Sequence, residues 1–211
     1  MDFLQELIAQ YGYDEPILSE QLRNDTALKD EALRQRLKRL VEQGKLLRYD
    51  NGIYFIPNPN SVLKKKTLSF NKVVKRKYLY YNSATIGYRT GVSFANELNL
   101  TTQTAGTLEI VTNKETNIKR LKKIKERPII LRKPRVPVTE ENYKLLQVID
   151  LLSSADRFSE KNNEQTLSAV LDYLQDSSLS SKQLREILKS YPFKTRAKIY
   201  ESGLYDAIAQ R

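Results

Sequence analysis

The chain has 211 residues and a net charge of +11, and it contains no cysteine, histidine or tryptophan. These absences exclude disulfide frameworks, Cys/His zinc sites, cysteine nucleophiles and Ser-His-Asp triads. The seven glycines form no phosphate-binding loop of the dinucleotide or P-loop type, so we predict neither a metal nor a cofactor. The apolar runs are too short to span a bilayer, and no cationic segment with a following apolar block opens the chain. We therefore expect a soluble, cytoplasmic protein with no membrane partner.

The excess positive charge lies in the middle third of the chain. Residues 1–60 carry a net charge of −2, residues 61–137 carry +14 and residues 138–211 carry −1. A field of this sign attracts nucleic acid and produces salt-sensitive affinity without sequence preference, although a solvated surface kept for solubility is the alternative. The run begins at Lys64-Lys65-Lys66, and its candidate basic patch consists of Lys75, Arg76, Lys119, Arg120, Lys122 and Lys123.

The first 57 residues predict three helices followed by a β-hairpin. Apolar residues recur at helical spacing from residue 3 to residue 11, and Gly12 ends that helix. A short second helix follows with Ser19 as its cap, and a third helix with a leucine stripe ends at Gly44. Two strand-like runs flank the sequence Asp50-Asn51-Gly52, in which Asn-Gly predicts a type I′ turn. This order of elements is that of a winged helix.

The third helix and the hairpin carry side chains suited to DNA. In winged helices the last of the three helices enters the major groove, where arginine pairs with guanine and glutamine with adenine, while basic groups near the hairpin reach phosphates. A protein-contact module is the alternative, because acidic residues lie on or near the same helix. The candidate DNA-binding residues are Lys29, Arg34, Gln35, Lys38, Arg39, Lys45, Arg48 and Asn51.

The segment from Pro57 to Ser61 is rich in proline and asparagine, which favours a linker. We therefore predict a first domain over residues 1–57 and a second over 58–211, with a basic α/β part at 64–137 and a helical part at 138–211. The predicted fold class is α+β, in which an N-terminal winged helix-turn-helix precedes a mixed α/β, largely helical C-terminal domain.

In the second domain, periodicity predicts a helix from Phe70 to Tyr81 whose apolar face belongs to a core and not to a base-stacking surface. Strands are expected at 108–111 and 129–131, joined by an exposed basic connection. The helical part is expected to begin with a helix capped by Thr139, to include a capping box of Ser180 and Gln183, and to end with a helix over 195–203. The loop at 153–163 is polar, and we expect it to be mobile.

Two short motifs in this region carry a family resemblance. Gly87-Tyr88 and Gly91 match a Gly-Tyr-x-x-Gly turn that leads into a short helix, and Leu100-Thr101-Thr102-Gln103 matches a Leu-Thr-x-Gln tail. Both resemble the AbiEi family of type IV antitoxins and related transcriptional regulators, and the hairpin at 48–54 is similar to that of the family's winged helix. The resemblance covers roughly residues 15 to 135. The chain differs from the family pattern at Asn99, where glycine is frequent, and in lacking a histidine in the preceding helix.

The resemblance implies a DNA-binding antitoxin that represses its own operon through inverted repeats. It also implies a functional partner, a nucleotidyltransferase toxin, counteracted without a stable complex. From the residues themselves, Gly87 and Gly91 favour structural roles in close backbone approach and a turn. A regulator with no toxin, whose second domain binds an effector or a protein, is the alternative function. An enzyme acting on nucleic acid is a third, although scattered acids such as Glu97 and Glu109 support it weakly. We predict no catalytic residue.

Overall fold

A computed structural model describes residues 2–61, 66–177 and 180–210 of the chain. The fold is mixed α+β with small sheets and divides into two compact units, one extending to Lys77 and the other starting at Tyr78. No helix in the described ranges is long and apolar enough to cross a membrane.

The described residues of the first unit form four α-helices and a three-stranded antiparallel sheet of order β1-β3-β2. Strand β3 is central, since it pairs with β1 through Leu18 and Ile53 and with β2 through Arg48 and Tyr54. The elements are α1 (Phe3–Tyr11), β1 (Ile17–Leu18), α2 (Ser19–Asp25), α3 (Asp30–Glu42), β2 (Leu47–Asp50), β3 (Ile53–Phe55) and α4 (Phe70–Val74).

The core of this unit forms because apolar residues of α1, α2 and α3 face the small sheet. Helix α3 buries one stripe, as its periodicity predicts, and leaves its cationic residues exposed. Its C-terminus is closed by a Schellman motif, in which the Gly44 N–H donates to the Val41 oxygen and the Lys45 N–H to the Leu40 oxygen. Gly44 takes a φ of 69°, which glycine adopts without strain. The buried core residues are Leu7, Ile17, Leu22, Leu33, Leu37, Leu40, Leu46 and Ile56.

Two local predictions for this unit are wrong. Ser19 is the first residue of α2 and makes no capping hydrogen bond; the residue before the helix is Leu18. The turn at Asn51-Gly52 is not type I′, since only Gly52 of these two residues has a positive φ. A bulge between Arg48 and Asp50 adds one residue to β2, and this changes the turn geometry that the hairpin needs.

The division between the units follows α4 and not the proline-rich segment at 57–61. Lys72 of α4 forms an ion pair with Glu15, and its ammonium also donates to the Asp14 carbonyl oxygen at 3.2 Å. The Arg76 guanidinium lies 5.4 Å from the centre of the Tyr11 ring. These contacts join residues beyond the predicted linker to the first unit, so the compact unit extends twenty residues past position 57.

A π-helical turn, Lys75–Leu79, continues α4, and the chain then enters a short strand at Tyr80. The helix predicted from Phe70 is therefore present, but Tyr81 does not belong to it. Val73, Val74 and Tyr78 are buried, which confirms that this apolar face is core and not a stacking surface.

The second unit combines a four-stranded mixed sheet with a layer of helices. The sheet order is β6-β7-β9-β8, and the central pair β7 and β9 is parallel while the outer pairs are antiparallel. A separate hairpin, β4 with β5, turns through Asn82 and Ser83, both of which have positive φ. The strands are β4 (Tyr80–Tyr81), β5 (Ala84–Thr85), β6 (Gly87–Thr90), β7 (Leu108–Thr112), β8 (Lys119–Ile124) and β9 (Arg127–Arg132).

The helices of this unit pack on one face of the sheet, where Tyr88 and Val111 join a core to which α6 contributes more residues than any other element. The helices are α5 (Val92–Glu97), α6 (Tyr143–Leu152), α7 (Asn163–Tyr173), α8 (Ser181–Leu188), α9 (Phe193–Glu201) and α10 (Leu204–Ala209), with a 3₁₀ turn at Ala155–Arg157. The predicted capping box of Ser180 and Gln183 is confirmed, and each side chain accepts from the other residue's backbone N–H.

Two expectations for this unit need correction. Helix α6 begins at Tyr143, one turn after Thr139, which is therefore not its cap. Strand β8 occupies most of the segment expected to be a basic connection, because its backbone pairs with β9; its side chains are mostly exposed, as expected. In the polar loop at 153–163, the Glu160 carboxylate accepts hydrogen bonds from Thr101 and Thr102, and the mobility expected for this loop stays a prediction.

Candidate nucleic-acid interface

A groove of about 660 Å³ separates α3 from the β2–β3 hairpin in the first unit. We call it the α3 groove. Half of the predicted DNA-binding residues line it: Arg34 and Lys38, which lie one turn apart on α3, and Arg48 and Asn51 on the hairpin. Arg23 of α2 is an additional cation that sequence analysis missed, since a single arginine on a short helix carries no distinctive signal. The structure thus brings together side chains separated by up to 28 positions.

The hairpin side of the α3 groove is held by local hydrogen bonds. The Arg48 Nη2 donates to Asn51 Oδ1 at 3.0 Å, and its Nε donates to the Asp50 carbonyl oxygen at 3.3 Å. The Asn51 N–H donates to Asp50 Oδ1 at 2.7 Å. The Ser19 N–H donates to the Gly52 carbonyl oxygen at 2.9 Å, which attaches the turn to the start of α2. The hairpin tip therefore holds a fixed position beside the helical layer.

The α3 groove carries an excess of positive charge. Four cationic side chains line it against one acid, Glu42, which lies 3.8 Å from the Lys38 ammonium. Both partners of this pair are well exposed, so it contributes little stability and opens readily to a phosphate ligand. Arg23 also forms an ion pair with Asp30, the first residue of α3, with 3.5 Å between Arg23 Nε and Asp30 Oδ1. Leu33 and Leu37 contribute apolar surface to the lining of the groove.

The other four predicted residues lie outside the α3 groove. Gln35 and Arg39 are exposed on α3 but turned away from the side that lines the groove. Lys29 immediately precedes α3, and Lys45 follows it; both are exposed. These residues are accessible to a ligand, but the structure does not gather them into the groove.

The predicted basic patch is divided between the two units. Lys75 and Arg76 belong to the first unit, where Arg76 packs on Tyr11, and the remaining four lie on the edge strand β8 of the second. Lys119, Lys122 and Lys123 are exposed there. Lys64 and Lys65, at the start of the basic run, lie outside the described residues.

Arg120 has a structural role within β8. Its Nε and Nη2 bind Glu115 Oε2 at 2.9 and 2.7 Å, and the Glu115 side chain is fully buried. Burial raises the pKa of Glu115, but hydrogen bonds from the Asn117 N–H and from Arg120 outweigh it, so the pKa lies below its ordinary value. Arg120 therefore neutralises a buried carboxylate and is less available to nucleic acid than the neighbouring lysines.

The family-type motifs of the second unit have structural roles. A Cβ added to Gly87 would lie 2.4 Å from the Tyr78 carbonyl oxygen and 2.6 Å from that of Val111, so close backbone approach requires glycine. Gly91 precedes α5 with a φ of 67°. Both observations confirm the roles expected for these two glycines.

The Leu-Thr-x-Gln segment ends α5 through a Schellman motif. The Leu100 N–H donates to the Ala95 oxygen at 2.9 Å, and Asn99 takes a φ of 56°, a left-handed conformation that asparagine tolerates. Leu100 and Thr101 are buried, whereas Gln103 is exposed and its carbonyl oxygen accepts from Asn96 Nδ2 at 2.7 Å. These contacts account for Leu100 and Thr101 without a ligand.

Tyr88, the remaining motif residue, is buried and donates its hydroxyl to Asp150 Oδ2 at 2.9 Å. Desolvation, followed by the charge of Asp150, raises the tyrosine pKa well above its ordinary value. Burial also raises the pKa of Asp150, against the opposing effect of the nearby Arg132. This pair ties β6 to α6.

Comparisons with known proteins give no independent guide to the function of this arrangement. No protein-family model, no curated protein and no solved structure matches the chain.

Proposed function

We propose that the first unit is a winged helix that binds double-stranded DNA through the α3 groove. The element order α1-β1-α2-α3-β2-β3 and the sheet order β1-β3-β2 support a winged helix, with the β2–β3 hairpin as the wing. One observation carries the DNA proposal: Arg34 and Lys38 of α3 and Arg48 and Asn51 of the hairpin line the same groove.

The chemistry of the α3 groove suits a duplex. Arg34 is exposed near the start of α3, the part of a recognition helix that reaches base edges, and it can pair bidentately with guanine. Lys38 and Arg48 can contact phosphates, and Asn51 at the wing tip can contact phosphate or the minor groove. Because only three net positive charges line the groove, base contacts must supply much of the specific affinity.

We propose further that the protein represses its own operon and counteracts a nucleotidyltransferase toxin as a type IV antitoxin. The net positive charge of the chain supports a nucleic-acid partner. The antitoxin role is supported only by the resemblance of Gly87-Tyr88, Gly91 and the segment 100–103 to the AbiEi family. The second candidate is a winged-helix regulator without a toxin, whose second unit binds an effector or a protein.

The DNA proposal is tested by fluorescence anisotropy with the duplex upstream of the gene and a scrambled duplex, at two salt concentrations. We expect the full chain to prefer the upstream duplex by roughly 10³-fold or more, as specific DNA-binding proteins do. Arg34→Ala should weaken binding to the upstream duplex by about 1–3 kcal/mol, roughly 5- to 150-fold, and reduce the preference. Arg48→Ala should weaken binding to both duplexes. It should also reduce the slope of the logarithm of the binding constant against the logarithm of the salt concentration by about one, because one phosphate contact is lost.

Arg39→Ala is the matched control, because Arg39 is an exposed arginine of the same helix outside the α3 groove. It should change the affinity for the upstream duplex much less than Arg34→Ala does. Equal losses in the two variants would contradict the assignment of the groove. If the chain binds both duplexes equally well and salt abolishes the binding, then the affinity comes only from electrostatic attraction to the DNA backbone.

The antitoxin proposal is tested in cells that express a neighbouring nucleotidyltransferase gene together with this chain. The double charge reversal Arg34→Glu/Lys38→Glu should abolish repression of the operon and leave protection from the toxin intact. Loss of protection together with repression, in a folded variant, would show that the two activities do not reside in separate units. Absence of a nucleotidyltransferase gene beside this one would favour the regulator without a toxin.

A further inference from the structure

A second groove, of about 520 Å³, lies wholly within the second unit. We call it the α9 groove. Four elements supply its six charged side chains: Glu109 comes from β7 and Arg132 from the neighbouring strand β9, Asp156 and Arg157 from the 3₁₀ turn after α6, and Lys194 and Lys198 from α9. Its volume falls within the range of roughly 300–1,000 Å³ that small-molecule sites occupy.

The charges in the α9 groove do not balance internally. Arg132 Nη1 lies 3.7 Å from Glu109 Oε2, and the Lys198 ammonium lies 2.8 Å from Asp156 Oδ1. The two acids are therefore matched by these two cations. Arg157 and Lys194 form no ion pair within the described part of the chain. The groove thus retains a charge of +2 from one guanidinium and one ammonium.

A residual charge of +2 selects among anions. A phosphate monoester carries about −1.5 to −2 at pH 7, whereas a phosphodiester carries a single negative charge, so only the monoester neutralises the pair with one group. A guanidinium supplies the planar fork that binds phosphate oxygens, and an ammonium adds a compact charge beside it. The groove is also lined by Phe158, Val92 and the exposed Gln103, which offer apolar and hydrogen-bonding surface to an organic group.

We propose that the α9 groove binds a small phosphate monoester, whose phosphate is held by Arg157 and Lys194. Lys198 and Arg132 keep the two carboxylates of the groove neutralised, so that the incoming phosphate meets no uncompensated negative charge. The site would be independent of the α3 groove and of DNA binding, since no residue lines both.

The test uses the full chain and isothermal titration calorimetry with four probes: adenosine 5′-monophosphate, phenyl phosphate, adenosine 3′,5′-cyclic monophosphate and adenosine. We expect saturable binding of both monoesters at millimolar concentrations or below, and much weaker binding of the cyclic diester and of adenosine. Arg157→Glu/Lys194→Glu should weaken monoester binding by at least about tenfold, equivalent to about 1.4 kcal/mol.

The matched control is Lys182→Glu/Lys189→Glu, which makes the same change in net charge at exposed lysines of the second unit outside the groove and outside the candidate basic patch. It should bind monoesters as the wild-type chain does. An equal loss in the control, or no saturable binding of either monoester, would overturn the proposal. A different result would be that the chain binds a single-stranded oligonucleotide more tightly than the monoesters, with this binding lost in Arg157→Glu/Lys194→Glu. That result would overturn the proposal, because the ligand of the groove would then be nucleic acid and not a small molecule. Circular dichroism of each variant establishes that it is folded.

Discussion

Gly87→Ala tests whether close backbone approach at β6 is required for the second unit. The added Cβ would lie 2.4 Å from the Tyr78 oxygen, 2.6 Å from the Val111 oxygen and 3.0 Å from the Thr112 Cβ. An ordinary carbon–oxygen contact is about 3.3 Å, so each oxygen must retreat by about 0.7–0.9 Å. Both oxygens belong to the main chain, and no side-chain rotation relieves the clash. The sheet must therefore deform.

The expected cost follows from overpacking in rigid surroundings. Such substitutions cost about 1–3 kcal/mol, and we expect Gly87→Ala at the upper end, about 3 kcal/mol, because two backbone segments must move. For a protein of this size, that corresponds to a fall in the midpoint of thermal unfolding of about 6–12 °C. Scanning calorimetry of the full chain, supported by urea unfolding followed by circular dichroism, measures both quantities.

Gly106→Ala is the matched control, since its added Cβ would meet nothing within 4 Å and its φ lies outside the positive region. We expect this variant to remain within about 0.5 kcal/mol of the wild-type chain, as substitutions away from packed features do. If Gly87→Ala is as stable as Gly106→Ala, the backbone approach at β6 is not a constraint and the structural role of this motif glycine is refuted.

Three further predictions concern local contacts of the second unit. Asn99→Val should destabilise the chain by about 1–2 kcal/mol in urea unfolding, because a β-branched residue is strained at a φ of 56°; an unchanged midpoint would contradict the Schellman ending of α5. Glu115→Gln should cost about 1–3 kcal/mol at neutral pH through loss of charged hydrogen bonds to Arg120. Because the folded-state pKa of Glu115 is lowered, the ionised side chain stabilises the fold above pH 4.5, its ordinary pKa. This stabilisation is lost as the pH falls through the lowered pKa. Wild-type and variant stabilities should therefore converge in acid, and a pH-independent difference would argue against the ion pair. Ser180→Ala should cost about 1 kcal/mol by removing the capping box of α8, whereas Ser181→Ala, at the first helical position, should cost less; equal thermal shifts would contradict the cap.

Much of the secondary structure follows from local sequence patterns. The leucine stripe predicts α3, and Ser180 and Gln183 predict the start of α8, because each signal acts within about one or two turns of chain. Turn geometry is less local. The Asn51-Gly52 sequence predicts a type I′ turn, but the bulge in β2 changes the register, whereas Asn82 and Ser83 adopt the two positive φ values without a glycine.

The candidate sites depend on the tertiary structure to a greater degree. Composition places the excess positive charge in the middle third, and helical periodicity exposes the cations of α3, because both properties are carried by the sequence itself. Only the packing of the hairpin beside α3 selects Arg34 and Lys38, and not Gln35 and Arg39, to line one groove with Arg48. Long-range pairing likewise makes the lysine-rich segment at 119–124 a strand and assigns Arg120 to a buried carboxylate. Sequence thus determines which charges the protein carries and on which helical face they lie. The fold decides which of them share a groove and which are neutralised, since electrostatic and hydrogen-bonding partners are set by distance in space and not by separation along the chain.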